Sequence, residues 1–185
     1  MPHVTYFVAA SLDGRIAGPG DDLAFLELFA GTFADGPYNM SRLIAGFDSL
    51  VMGAATYRFI AGHVGDGSRE RWPYGETPTW VLSRAPALPP IPGAEAVIHA
   101  RGDIAAVVDG IAARGLSRTW LVGGGNLAAQ FLAADLVDEL ILGLAPAILG
   151  AGPPLADGAL PLRTFDLADV QRDRDALALR YVRRR

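Results

Sequence analysis

Residues 4–10, Val-Thr-Tyr-Phe-Val-Ala-Ala, form an apolar and β-branched run with no charged residue and no solvent-facing alternation. A run of this kind suits a strand covered on both faces, and so demands helices above and below its sheet. Similar short runs recur at 50–52, 79–83, 96–98, 120–122 and 139–144, separated by segments of helical character. The alternation predicts an α/β chain. Helices are expected at 23–29 behind Asp21 or Asp22, at 39–47, from Ala54 onward, from Asp103 to about Arg114 and from Asn126 to Ala134. Gly115 is the expected stop of the fourth, and the prolines between 85 and 92 exclude a helix there. Residues 177–182 alternate like an edge strand and can pair antiparallel with 139–144, which predicts a mixed rather than a purely parallel sheet. No repeat or linker interrupts the 185 residues, so one domain is expected over 1–185.

Composition removes whole classes of chemistry. The chain has no cysteine, and all 16 of its basic residues are arginine. Schiff-base and pyridoxal-phosphate lysines, a Walker A loop, thiol nucleophiles, disulfides and cysteine-rich metal sites are thereby excluded. His3, His63 and His99 are scattered, so no metal site is expected. The formal charge of -4 comes without a basic stripe, which argues against a nucleic-acid partner. The Arg183-Arg184-Arg185 run reads as a solvated chain end. The uncharged stretch 140–156 is broken by Pro146, Pro153 and Pro154, and no export or membrane segment is expected. A soluble cytoplasmic protein follows as the expectation.

Three strand ends carry groups that suit an anionic ligand. Gly123, Gly124, Gly125, Asn126, Leu127 and Ala128 satisfy G-x-G-x-x-A between a strand and a helix, where backbone N–H groups can approach a pyrophosphate. A tight turn with close helix packing explains the same residues. A dinucleotide fold of the Rossmann type also needs an acid at the end of the following strand, and none stands there. Gly53, Ala54, Ala55 and Thr56 repeat the strand-to-helix geometry and add a hydroxyl. Ser83 and Arg84 end a further strand with a hydroxyl and a guanidinium fitted to a ribose phosphate, although Arg84 can also be an ordinary exposed arginine.

Taken in order, these blocks resemble the dihydrofolate-reductase-like superfamily, and within it the C-terminal reductase domain of bacterial riboflavin biosynthesis and its stand-alone relatives. The blocks are 10–17, 48–57, 81–84, 122–127, 136–140 and 146–152. The resemblance implies a three-layer α/β/α domain with a mixed, mostly parallel sheet and a C-terminal antiparallel strand pair. It also implies a homodimer, NADPH as cofactor, and hydride transfer to a C=N or carbonyl carbon of a pterin-like or ribosylaminopyrimidine-like small molecule. On the same footing, Gly53, Ala54, Thr56, Gly123, Gly124, Gly125, Asn126 and Leu127 would hold the pyrophosphate. Ser83 and Arg84 would meet the 2′-phosphate, and Ala10, Ser11 and Ile16 would border the nicotinamide and substrate. The chain departs from its relatives in three places: Ala54-Ala55 where a Gly-Arg is usual, Val122 where a glutamate is common, and no segment resembling the accompanying deaminase.

Hydride delivery needs a proton source. Asp13 follows the first strand, but Asp-Gly is also an everyday turn pair; Asp35 and Tyr38 fall where a buried carboxylate is usual. Trp72 and Tyr74 could stack on a planar substrate, or anchor their loop on the core. Asp138-Glu139 reads as a polar lead into a strand or a dimer edge. A nucleotide-binding or regulatory module without catalysis is the alternative to the reductase.

Overall fold

A computed structural model describes residues 1–67 and 70–184; Arg185, part of the basic tail, lies outside the described residues. The strands are β1 (His3–Ala10), β2 (Ser49–Gly53), β3 (Thr79–Leu82), β4 (Val97–Ala100), β5 (Arg118–Gly123), β6 (Glu139–Leu144), β7 (Phe165–Asp173) and β8 (Ala176–Arg183). The helices are α1 (Met40–Ala45), α2 (Ala54–Gly65), α3 (Ile104–Ala113) and α4 (Gly125–Ala133). One eight-stranded sheet runs in the order β4-β3-β2-β5-β1-β6-β8-β7. Pairs up to β6 are parallel, whereas β6–β8 and β7–β8 are antiparallel. The expected mixed, mostly parallel α/β sheet with its C-terminal antiparallel pair is the fold observed.

Alternating side chains of β1 divide between the two faces, as the pleat requires. Val4 and Tyr6 join Val51, Trp80 and Leu121 under Val107, Val108 and Ile111 of α3 and Leu127 and Phe131 of α4. On the opposite face Leu50, Met52, Val81 and Trp120 lie under Tyr57 and Ile60 of α2. Beside them, Phe7 and Leu43 pack with Phe33, Tyr38 and Ile141. Both faces of β1 are therefore covered, which is why its sequence shows no polar period.

The helix ends follow the capping residues. Asn39 Oδ1 accepts from Arg42 N, and Asp103 Oδ1 accepts from Ala106 N. Gly115 takes the left-handed conformation after α3 that a side chain would resist. Segment 23–29 differs from expectation: Ala24–Phe29 is a 3-10 helix, and Asp22 Oδ1 accepts only from Ala24 N. The fifth expected helix start is shifted too, since α4 opens at Gly125 rather than Asn126.

The C-terminal strands require a larger correction. β8 is not the edge strand; it lies between β6 and β7, and β7, absent from the sequence reading, forms the edge. A bulge between Leu167 and Asp169 breaks its two-residue period, and much of its length is exposed. Arg183 and Arg184 are not free in solvent either. Arg183 Nη2 donates to Asp138 Oδ1 at 2.7 Å, and Arg184 pairs with Asp166.

Glu139 fastens the start of β6 inside the chain. The residue is 7% exposed, and its carboxylate accepts from Arg180 Nε of β8, from His3 Nε2 at 3.2 Å and from Thr5 Oγ1 at 3.2 Å. Burial works to raise its pKa, but the hydrogen bonds, Arg180 foremost, outweigh burial and hold the carboxyl below its ordinary value. A depressed folded-state pKa contributes stability that is fully present above the unfolded glutamate value of about 4.3, and that stability is lost as pH falls through the folded value. Urea denaturation of Glu139→Gln should therefore lose part of the wild-type dependence of stability on pH below about 5. An unchanged acid slope would show that this cluster contributes nothing to acid stability.

Candidate functional site

The site follows from where the connections leave the sheet. β2 and β5 are neighbours, yet α2 leaves β2 for one face and α4 leaves β5 for the other. Chain that departs in opposite directions from adjacent strands leaves a crevice at their carboxyl ends. The two turns abut there: a Cβ on Gly53 would lie 3.7 Å from Gly123 O and 3.9 Å from Gly124 N, and one on Gly124 would lie 3.8 Å from Thr56 Oγ1. Gly123 has φ +110°, a conformation that L side chains rarely adopt.

Neither Gly53 nor Gly124 supplies a side-chain cap to the helix it opens. The first-turn N–H groups of α2 (54–56) and α4 (125–127) have no carbonyl within their own helices to bond. Two positive helix ends thus point into one crevice, an arrangement that favours an anion.

One wall of the crevice is an unusual pairing of loops. Residues 11–18, which follow β1, lie against residues 147–157, which follow β6. Ile16 N donates to Pro153 O, Leu155 N to Gly14 O, and Arg15 Nη1 to Gly152 O. The Asp13 carboxylate accepts from Ser11 Oγ at 2.6 Å, Leu149 N at 3.1 Å and Gly150 N at 2.9 Å. Those donors, Ser11 first, hold its pKa down at about 2. At neutral pH the group is ionised and has no proton to give; its geometry fastens the two loops.

The later loop crosses the N-terminus of α4. Asp157 N donates to Gly125 O, Asn126 Nδ2 donates to Asp157 O, and the Tyr6 hydroxyl donates to Leu155 O at 2.8 Å. A Cβ on Gly125 would stand 2.2 Å from Pro154 O, so a side chain there forces backbone to move. The third glycine of the loop is thus required by packing of the protein on itself. The side chain of Asn126 is likewise spent internally, since Oδ1 accepts from Gln130 Nε2 at 2.9 Å, which leaves its backbone N–H to face the crevice.

The crevice opens into a cavity of about 1270 Å³. Ile16, Gly53, Ala54, Thr56, Ser83, Arg84, Gly124, Gly125, Asn126 and Leu127 line it, as do Tyr38 and Tyr74. Ala10, Ser11, Asp13, Asp35, Trp72 and Gly123 are not among its lining residues. Ala10 and Ser11 are buried beneath the paired loops, and Asp35 is exposed on the loop before α1. Trp72 is buried against Tyr57 and Tyr74, the anchoring role weighed for it above. Ser83 Oγ accepts from Ala85 N, which shapes the turn, while exposed Arg84 has no hydrogen bond or ion pair among the described residues.

The far end of the cavity, missed in the sequence, is apolar. Phe7, Ile141 and Trp120 form its floor, with Phe29, Phe33, Leu43 and Ile44 around them. Trp120 Nε1 donates to Phe7 O, which fixes the indole on the sheet. Tyr38 Oη donates to Asp169 Oδ2 at 2.6 Å; burial, then this hydrogen bond, keeps the phenol protonated well above its ordinary range. The continuous apolar runs of β1 and β6 mark these side chains as core, and only the enclosing loop makes them a binding surface.

Residues 2–179 match the family described as the RibD C-terminal domain. The Bacillus subtilis (strain 168) protein YwjB is 25% identical over 177 residues, covering 96% of this chain and 95% of that one. A crystal structure from Shewanella sp. PV-4, named as a candidate riboflavin biosynthesis protein, is 27% identical with a TM-score of 0.83 and full coverage of both chains. Dihydrofolate reductase from Enterococcus faecalis, solved with NADP(H), shares the fold at 16% identity and a TM-score of 0.61, covering 98% of this chain and 96% of that one.

Replacing Gly125 with alanine should destabilise the protein by about 1–3 kcal/mol, because the added methyl meets backbone rather than a yielding side chain. Chemical denaturation measures it. In Asp13→Asn, amide hydrogen exchange at Leu149 and Gly150 should accelerate while exchange in β1 is unchanged. With the glycine turns, the paired loops and the sheet order all in place, the chain belongs to the RibD C-terminal domain family and has the dihydrofolate-reductase-like fold.

Proposed function

We propose that residues 1–185 form a single NADPH-dependent reductase domain that transfers hydride to a C=N or carbonyl carbon of a small heterocyclic substrate. The observation that carries this reading is the pair of uncapped helix N-termini meeting at Gly53 and Gly124, with unpaired Arg84 on the same cavity. The donor set fits a dinucleotide phosphate: main-chain N–H groups, the Thr56 hydroxyl and a guanidinium, with no lysine needed. The cavity exceeds the roughly 300–1,000 Å³ that holds one drug-sized ligand, which suits a cofactor and a substrate side by side.

On this reading the amides of 54–56 and 125–127 bind the pyrophosphate, Thr56 adds a hydroxyl donor, and Arg84 with Ser83 receives the 2′-phosphate. A bound reduced nicotinamide supplies the hydride. Ile16 borders it, and the paired loops behind Ile16 hold that wall still. The apolar floor of Phe7, Trp120 and Ile141 excludes water from the reacting carbon and orients a flat ring; Tyr38 and Tyr74 border the substrate. The proton that completes reduction comes from water, because Asp13 is ionised and bound elsewhere and the Tyr38 proton is held on Asp169.

That Asp13 is ionised and the Tyr38 hydroxyl is bonded to Asp169 is the observation that favours the second reading, a nucleotide-binding module without turnover. Self-association through the edge strand β7, where Leu167 and Val170 are about half exposed, would make the working unit a homodimer. Among the described residues no helix is long and apolar enough to cross a membrane.

Titration with NADPH and NADH tests the cofactor. NADPH should bind more tightly, and Arg84→Ala should weaken NADPH by about tenfold, as loss of one charge-assisted phosphate contact implies, while leaving NADH unchanged. Binding of neither dinucleotide would defeat the reading, and binding without NADPH oxidation across dihydropterins, flavins and ribosylaminopyrimidines would favour the module.

A further inference from the structure

The cavity is electrically lopsided. Among the described residues that line it, the basic side chains are Arg84 and His63 and the acidic ones are Asp21 and Asp157. His63, on α2, donates from Nδ1 to Phe59 O at 2.9 Å, and its ring lies 4.2 Å from that of Phe59. Arg84 lies two residues beyond β3, whereas the apolar end of the cavity includes Ile141 and Gly143 of β6. Those strands are four positions apart in the sheet, which at the ordinary strand spacing is about 19 Å, beyond the reach of one arginine side chain. An arginine that serves the cofactor end therefore cannot also neutralise a charge over Phe7 and Ile141.

What surrounds that end is mostly apolar: the Tyr38 hydroxyl there is bonded to Asp169, and Arg180, opposite Ile141 on β8, is paired with Glu139. Phe7, Phe33, Leu43, Ile44, Trp120 and Ile141 face it, and at its opening Leu26 and Met40 are 36% and 56% exposed. A phosphate buried here would lose its hydration and find the Arg180 guanidinium already paired with Glu139, so its burial is unfavourable. A flat ring gains contact with Phe7 and Trp120, themselves 5.6 Å apart at an interplanar angle of 36°.

We propose that the substrate is a planar, uncharged carbonyl or imine compound with an apolar body, carrying no phosphate, that enters past Leu26 and Met40. The inference deepens the reductase reading and rests on its placing the dinucleotide at the glycine turns.

Calorimetric titration separates the two. The full chain is titrated with 2-naphthaldehyde, with and without NADP⁺, and then with a matched ribosylaminopyrimidine bearing or lacking its 5′-phosphate, in the presence of NADP⁺. The aldehyde should bind in both conditions with a negative heat-capacity change. Met40→Asp, at an exposed position that leaves the fold intact, should weaken it roughly fivefold. The 5′-phosphate should add no affinity. A phosphorylated pyrimidine bound about tenfold or more tightly than its dephosphorylated partner would overturn the proposal, as would an aldehyde that does not bind. Failure of NADP⁺ to bind while the aldehyde does would instead remove the dinucleotide and leave the apolar subsite standing.

Discussion

The divergence of α2 and α4 from adjacent strands sets the rest of the structure. Because β2 and β5 send their helices to opposite faces, nothing of the main sheet covers their carboxyl ends, and two sets of first-turn amides are left facing one crevice. Hydrogen-bonding groups left in that state need partners. The protein does not provide them with side-chain caps. It closes the flank instead, by laying residues 147–157 over α4 and pairing them with the loop after β1. The glycines at 125 and 152 allow that contact: a Cβ at Gly152 would stand 2.1 Å from Ala17 O.

Two ends with opposite chemistry result. Near β2, β3 and β5 the cavity offers amides, hydroxyls and one guanidinium. Near β1 and β6 it offers aromatic and aliphatic side chains of the sheet itself. An anionic ligand and an apolar one can thus lie end to end without competing for the same groups. This also shows how a chain free of lysine can still offer a surface that suits an anion: backbone donors carry no charge of their own, and the helix ends supply the field.

Much of this was legible in the sequence because strands buried on both faces and glycine-rich strand ends leave local signatures. The parallel strands, the capping by Asp103 and the two glycine turns are each legible in a few neighbouring residues. What escaped was decided by distant partners. β7 hides because a bulge breaks its period and its residues are mostly solvent-facing. Asp13 reads in sequence first as a turn residue and second as an acid, and only Leu149 and Gly150, more than a hundred residues away, reveal what its carboxylate holds. The apolar end was invisible for the opposite reason: Phe7 and Ile141 carry an ordinary core pattern until α1 and the loops around Phe29 and Phe33 leave space above them.

The central claim is that uncapped amides at the two glycine turns hold a dinucleotide pyrophosphate. Residue-resolved amide hydrogen exchange with and without NADPH tests it directly. The expected result is slowed exchange at 54–56 and 125–127, with amides of the outer strand β7 unaffected. NADPH that binds yet leaves both first turns exchanging at their free rate would contradict it.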